Sequence, residues 1–305
     1  MSVDARTVKE LRDSTGAGMM DCKRALTETD GDVDAAIAML REKGLASAAK
    51  KAGRVAAEGM VEVFSHDSAT EAILVELNYE TDFVAKNEAF GELLSTVGRA
   101  ILDADVETGT GETAAGFEVG GKKLSEILTG AIVSIGENIG LRRFVRVRTD
   151  GGRVGSYVHA GGKIGVLVEI SGATDEHADL ARSLGMQVAA AMPRYVRRDE
   201  VPESEIASER EIFRNQALAS GKPEKVVDKI VDGKIDKFYR DICLTEQEYV
   251  RDSQLTIDTL LEQVGAETGA DLRVERFVRY QLGEGIAKKE ANLAAEVAET
   301  IGKSS

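Results

Sequence analysis

The sequence predicts an α+β protein with a duplicated core, and three observations carry that reading. Apolar residues recur at helical spacing over residues 1–44 and again over 202–243. Two apolar runs, Ile73-Leu74-Val75-Glu76-Leu77 and Leu167-Val168-Glu169-Ile170, have the length and bounds of buried strands. The segments around these runs match each other in one ungapped register, 93 residues apart.

The bulk numbers set limits on function. With 305 residues and 43% hydrophobic content the chain can bury a real core and divide into two or more domains. A net charge of −14 argues against free nucleic acid as a partner, since binding phosphates needs concentrated Lys and Arg. Cys22 and Cys243 stand alone, without a CxxC pair. That pattern suits a reducing compartment and predicts neither a disulfide framework nor a zinc site. The first residues, MSVDARTVKELRD, are polar and carry acids, so no secretory signal is expected. No apolar run approaches the roughly 18 residues of a membrane span. The expected setting is cytoplasmic.

Residues 1–44 read as three helices. The first runs from about Asp4 to Ser14 with Val8 and Leu11 inward, and Thr15-Gly16-Ala17-Gly18 breaks it. The second carries Met19, Cys22 and Leu26 on one face. The third shows Val33, Ala36, Ile37 and Leu40 at helical steps, with Gly44 placed as its C-terminal cap. So small a bundle has a thin core and suits docking better than catalysis. Met19 and Met20 stand beside a glycine-rich turn, and methionine adapts to partner surfaces. Adjacent residues cannot share a helix face, so one of the two is expected in the core. Residues 45–58 read as a connecting helix or linker.

The repeat follows. Gly59, Val61, His66, Leu74, Val75, Glu76, Thr81 and Asp82 recur as Gly152, Val154, His159, Leu167, Val168, Glu169, Thr174 and Asp175. Each copy reads as strand, strand, helix. In the first copy the second strand leads into Asn78-Tyr79-Glu80-Thr81-Asp82-Phe83-Val84-Ala85-Lys86-Asn87, and Phe90, Leu94, Val97 and Ile101 then mark a helix. Thr81 or Asp82 is the expected N-cap, as is Thr174 or Asp175 in the second copy. An aromatic directly after the cap, Phe83, either folds back onto the core or stands exposed for a partner. The second copy acts as an internal control. Where the first has Phe83-Val84 it has Glu176-His177, so the corner does not demand an apolar side chain, and Phe83 is expected to be exposed as an interface anchor.

Residues 103–121 are acidic, rich in Gly and Thr and without periodicity, as in a surface loop. Leu124, Ile127, Leu128, Ala131, Ile132 and Ile135 form one face of a helix, and Leu141–Val147 reads as a strand. His159 sits in the tight connection Tyr157–Gly162. Over 202–243 two helical segments flank Ser220-Gly221-Lys222-Pro223, with Ile206 and Phe213 on one and Val231, Ile235, Phe238 and Ile242 on the other. They predict a projecting helical hairpin. A helix over about Thr256–Gly265, a strand over Asp271–Leu282 that joins the second copy's sheet, and a last helix over Asn292–Ile301 complete the chain.

Reaction chemistry is missing from this inventory. His66, His159 and His177 form no metal-binding spacing, and no Ser or Cys stands in a nucleophile elbow. Gly116–Lys122 has some likeness to a phosphate loop, but Lys123 takes the place of the magnesium-binding Ser or Thr. The residues alone describe a binding protein with a duplicated α+β core. They leave open a scaffold that binds through residues 1–55 only, and an enzyme whose site has no recognisable motif.

Longer motifs narrow this. Leu11–Lys23 (LRDSTGAGMMDCK), Thr81–Asn87 (TDFVAKN), Ile135-Gly136-Glu137-Asn138-Ile139, His159 with Ile164-Gly165-Val166, and Gly283-Glu284-Gly285 together resemble the elongation factor Ts family, in order and over nearly the whole length. Tyr79 departs from the family, which often has Cys there, and the 103–121 loop is longer and more acidic than is common. The resemblance implies an exchange factor for the GTPase elongation factor Tu, with no cofactor, no metal and no small-molecule substrate of its own. It implies an N-terminal ubiquitin-associated-like bundle with its linker (1–55), a first half-domain (56–150) and a second (151–201 and 245–286) interrupted by a coiled-coil hairpin (202–244), and a C-terminal helix (287–305). Thr81, Asp82, Phe83 and Val84 would disturb the partner's Mg²⁺ site, while Met19, Met20, Ala85, Lys86, Asn87 and His159 would touch the partner.

Overall fold

The computed structural model describes residues 3–66, 69–221 and 223–287. The expected helix at Asn292–Ile301 lies outside them. The described chain is α+β: a group of N-terminal helices, then small antiparallel sheets covered by helices.

Three helices come first: α1 (Ala5–Thr15), α2 (Met19–Glu28) and α3 (Val33–Lys51). Val8, Leu11, Cys22, Ala25, Leu26 and Ala36 form their small core. Gly16 adopts a left-handed conformation and ends α1, and Asp32 caps α3 by accepting from the Ala35 N–H. One expectation is corrected here. Gly44 does not end α3, which runs on to Lys51, so the first half of the 45–58 connection is helical, one of its two expected forms. The glycine is buried inside the helix where α3 crosses the later helix α6 (Leu124–Ile135), beside Thr129 and Val133. The Lys51 ammonium donates to the Ile132 carbonyl on the same seam.

The first sheet contains β1 (Glu58–Ser65), β2 (Glu71–Tyr79), β3 (Thr108–Gly109) and β6 (Gly140–Arg148) in the order β1-β2-β6-β3. The second contains β7 (Gly152–His159), β8 (Ile164–Ser171) and β11 (Arg273–Gln281) in the order β11-β8-β7. All pairings within both are antiparallel. β2 and β8 are each central, and each lies between its hairpin partner and a strand that returns after the helices. Even the irregularities match. Arg142 bulges from β6 where Arg143 faces Glu76, and Glu275 bulges from β11 where Arg276 faces Glu169.

The helix α4 (Glu88–Asp103) and α6 cover the outer face of the first sheet, burying Phe90, Leu94, Val97 and Ile101 against Ile73, Val75 and Leu77. The helices α7 (Ala178–Ala191) and α10 (Ile257–Thr268) cover the second. The inner faces of the two sheets meet through Val61, Leu74, Val147, Val154, Leu167 and Tyr280. Gly165 permits the close approach: a Cβ there would lie 2.5 Å from Val61 and 2.6 Å from Leu74.

The 103–121 stretch is not a bare loop. Besides β3 it forms a short helix, α5 (Gly111–Ala114), and β4 (Glu118–Val119), which pairs with β5 (Lys122–Lys123). Ala114 is buried and Phe117 stacks edge-on near Phe144, contacts that hydrophobic periodicity over so short a stretch cannot reveal. The hairpin appears as α8 (Glu203–Ala219) and α9 (Glu224–Ile242), zipped by Ala217, Val227, Val231 and Ile235 and bridged by Arg210–Asp232 and Arg214–Asp228 pairs. A small ribbon, β9 (Glu248–Tyr249) with β10 (Asp252–Thr256), leads into α10. That helix runs one turn past Gly265 and ends at Gly269.

Candidate functional site

The corner after β2 begins in the core and turns abruptly outward. Asn78 and Tyr79 are buried, whereas Thr81, Asp82 and Phe83 are exposed, Phe83 to 81%. Val84, one residue on, is buried again and starts a single 3₁₀ turn, Val84–Lys86. Asn87 then caps α4, its side chain accepting from the Ala89 N–H at 3.0 Å. The expected cap at Thr81 or Asp82 is therefore corrected. The extra turn separates these residues from α4, and Asn87 takes the cap position. Val84 faces the core, so it anchors the corner from beneath; Ala85, Lys86 and Asn87 are exposed beside it.

The corner is clamped by the loop that follows α6. Glu137 accepts from the Glu80 N–H at 3.1 Å and the Thr81 N–H at 2.9 Å through one oxygen, and from the Thr81 hydroxyl through the other. Glu80 reciprocates by accepting from the Asn138 N–H at 2.6 Å. The Asn138 amide also donates to the Arg54 carbonyl at 2.8 Å. Below, the Tyr79 ring meets Phe90 edge-on at 4.8 Å and its hydroxyl donates to the Gly59 carbonyl. Burial pushes the Tyr79 phenol up to about 12. A groove of about 520 Å³ opens beside the corner between β1 and α4, lined by Met60, Phe64, Ala85, Lys86, Asn87 and Phe90 among others. A rigid corner carrying an exposed aromatic beside a partly apolar groove can dock against a protein surface.

The remaining candidates belong to other elements. His159 is exposed at the end of β7, its Nδ1 2.9 Å from the Tyr157 hydroxyl. The following turn carries left-handed Ala160, Gly161 and Gly162, and the Gly162 carbonyl accepts from the Val61 N–H, which ties the turn to β1. Met19 and Met20 open α2 and are 45% and 69% exposed, so neither fills the core as expected for one of them. The packed stripe of α2 is Cys22, Ala25 and Leu26.

Glu137 is the residue sequence reasoning missed as a contributor to the corner. It lies inside the Ile135–Ile139 motif, but periodicity has no means of linking it to Thr81. Among the described residues no cluster of three or more His, Cys, Asp or Glu could hold a metal, and no helix is long and apolar enough to cross a membrane. Cys22 and Cys243 are both buried and free, and burial pushes the Cys243 thiol up to about 11.

Comparison with known proteins adds an independent finding. A family model described as Elongation factor TS matches residues 80–284. Elongation factor Ts of Clostridium botulinum (strain Alaska E43 / Type E3) is 48% identical over 306 residues, covering 99% of this chain and 100% of the relative. Elongation factor Ts of Clostridium perfringens (strain SM101 / Type A) is 46% identical over 303 residues, and that of Halothermothrix orenii 46% over 307, with the same coverage.

Proposed function

The chain belongs to the elongation factor Ts family, and from that premise we propose that it acts on its partner GTPase through the corner Thr81–Val84. The family are nucleotide exchange factors of elongation factor Tu, so the chain performs no bond-making or bond-breaking step of its own. In such a GTPase, GDP is held by a nest of backbone N–H groups and by Mg²⁺. Phe83, with Asp82 beside it, wedges between the elements that hold the ion. Shifting them removes a large neutralising charge from the diphosphate, and GDP leaves faster. The factor then stabilises the empty GTPase until GTP binds.

The observation that carries this reading is the contrast between neighbours. Phe83 is exposed while Val84 is buried, and the second copy repeats that alternation with Glu176 exposed and His177 buried. The fold thus fixes which residue points outward, and only the first copy places an aromatic there. Ala85, Lys86 and Asn87 extend the same contact, with His159 and the methionines Met19 and Met20 as separate docking points. The N-terminal helices serve as a ubiquitin-associated-like dock (1–55). The two half-domains (56–150, and 151–201 with 245–286) arise from one duplicated unit, the 202–244 hairpin is a coiled-coil arm, and 287–305 is a C-terminal module.

The test is release of fluorescent GDP from elongation factor Tu, alone and with the wild-type chain or Phe83→Glu, which copies the second repeat. The wild-type chain should accelerate release and Phe83→Glu should lose most of that acceleration while still binding. Equal acceleration by both would overturn the role of the corner.

A further inference from the structure

We infer that Glu137 is a positioning residue for exchange: its carboxylate locks Thr81 so that Phe83 is held ready for insertion. The inference rests on the proposed role of Phe83 and adds a second chain segment to it.

The two copies solve the same local problem differently. In each, a Thr ends the outgoing strand's extension and has a backbone N–H to satisfy. In the second copy the Thr174 N–H donates to Nδ1 of His177 at 2.9 Å. Nε2 of His177 lies 3.0 Å from the Thr268 hydroxyl at the end of α10. The corner is thus closed by its own residue, buried beneath it. In the first copy the position of His177 is Val84, whose side chain has no polar atom to offer. The Thr81 N–H turns instead to Glu137, from a different part of the chain.

Glu137 is itself placed by a repeated device. Gly136 ends α6 in the left-handed conformation, with φ of 89°. Gly269 ends α10 in the same way, with φ of 72°. Each glycine precedes the returning third strand of its sheet. The residue after Gly136 is Glu137, whereas the residue after Gly269 is Ala270, which has no side-chain acceptor. The carboxylate, like the exposed aromatic, therefore occurs in the first copy alone. It takes three donors from two consecutive residues, Glu80 and Thr81, immediately before Asp82 and Phe83. An ionised acceptor with several donors makes stronger hydrogen bonds than a neutral one, and fixing the chain two residues away restricts where Phe83 can point. Binding that needs no ordering of the corner at the moment of insertion proceeds with less entropic cost.

The test is a double-mutant cycle on stimulated release of fluorescent GDP, using full-length chains checked for folding by thermal melting. Glu137→Ala should lower the release rate at saturating factor on the order of tenfold, the equivalent of about 1.4 kcal/mol, with the half-saturating concentration little changed. Glu137→Gln, which keeps an acceptor oxygen, should recover part of the loss. In a Phe83→Ala background, Glu137→Ala should add nothing further. An undiminished saturating rate in Glu137→Ala, or an equal loss in both backgrounds, overturns the inference while leaving Phe83 in place. Should Phe83→Ala alone exchange at the wild-type rate, the proposed corner mechanism is what fails. If Glu137→Ala does not fold, Thr81→Val, which removes only the hydroxyl donor, takes its place in the same cycle with the same two deciding outcomes.

Discussion

Nε of Arg143 donates to the buried carboxylate of Glu76 at 2.6 Å, and Arg276 makes the same contact with Glu169 at 2.7 Å in the second sheet. The two are not equivalent in setting. Glu76 is fully buried and also accepts from Arg142 and from the Gly283 N–H beyond β11, so it joins the first sheet to the end of the second. Arg143 completes the seam, its guanidinium 4.0 Å from the Tyr280 ring centroid. Glu76→Ala should cost about 3 kcal/mol, at the low end for breaking a buried ion pair because both arginines keep a solvent-facing side. Glu169→Ala should cost under about 1 kcal/mol, since its arginine is 46% exposed and can be solvated by water. Urea unfolding of the two variants checks the ranking; equal costs would mean that Glu76 does not hold the seam.

The Thr174 corner supplies a stability prediction independent of exchange. Thr174 and His177 form a reciprocal capping box at the start of the 3₁₀ turn Asp175–His177. Thr174→Ala should lower stability by about 0.5–2 kcal/mol and leave the saturating rate of GDP release near wild type. A large loss of exchange at unchanged stability would make the second corner an active element too.

Alkaline pH reports on the core beneath the first corner. The Tyr79 phenol is pushed up from 10.0 to about 12, first by burial and then by nearby Glu58. The unfolded chain ionises this group above pH 10 while the folded chain holds its proton until about 12. Its contribution to stability is complete below pH 10 and disappears as the pH rises to 12. Tyr280, also pushed up to about 12 by burial, acts in the same window. Tyr79→Phe should therefore show a shallower loss of urea-unfolding stability between pH 9 and 11.5 than the wild type. An identical slope in both proteins would mean that the Tyr79 phenol ionises freely in the fold.

Much of this architecture was legible because it depends on pattern. The apolar runs around Leu74 and Leu167 mark the central strands, and the fixed offset between Gly59 and Gly152 marks the correspondence of the sheets. Phe83 was legible as exposed because its counterpart, Glu176, is charged. What escaped were features set by contact. Gly44 carries a capping signal but lies inside α3, buried at the α3–α6 crossing. Asn87 caps α4 because a 3₁₀ turn, which has no sequence signature, intervenes after Phe83. His177 is polar yet buried, since both ring nitrogens have partners. Glu137 reaches Thr81 only through the closing of the sheet, and no local window contains both residues.

The central claim concerns Phe83, and linkage makes it measurable. If the factor weakens GDP binding by some ratio, GDP weakens factor binding by the same ratio. Because Phe83 is 81% exposed, Phe83→Ala should leave stability within about 0.5 kcal/mol of wild type. It should remove a coupling worth about 2–4 kcal/mol for one interface anchor. That corresponds to GDP release from elongation factor Tu slowed roughly 30- to 700-fold at saturating factor. The deciding measurement is that release rate for wild type and Phe83→Ala, each in Mg²⁺ and in EDTA. The account predicts a large defect in Mg²⁺ that shrinks once the metal is already gone. A defect as large in EDTA as in Mg²⁺ would contradict it, because Phe83 would then act by a route that does not pass through the metal site.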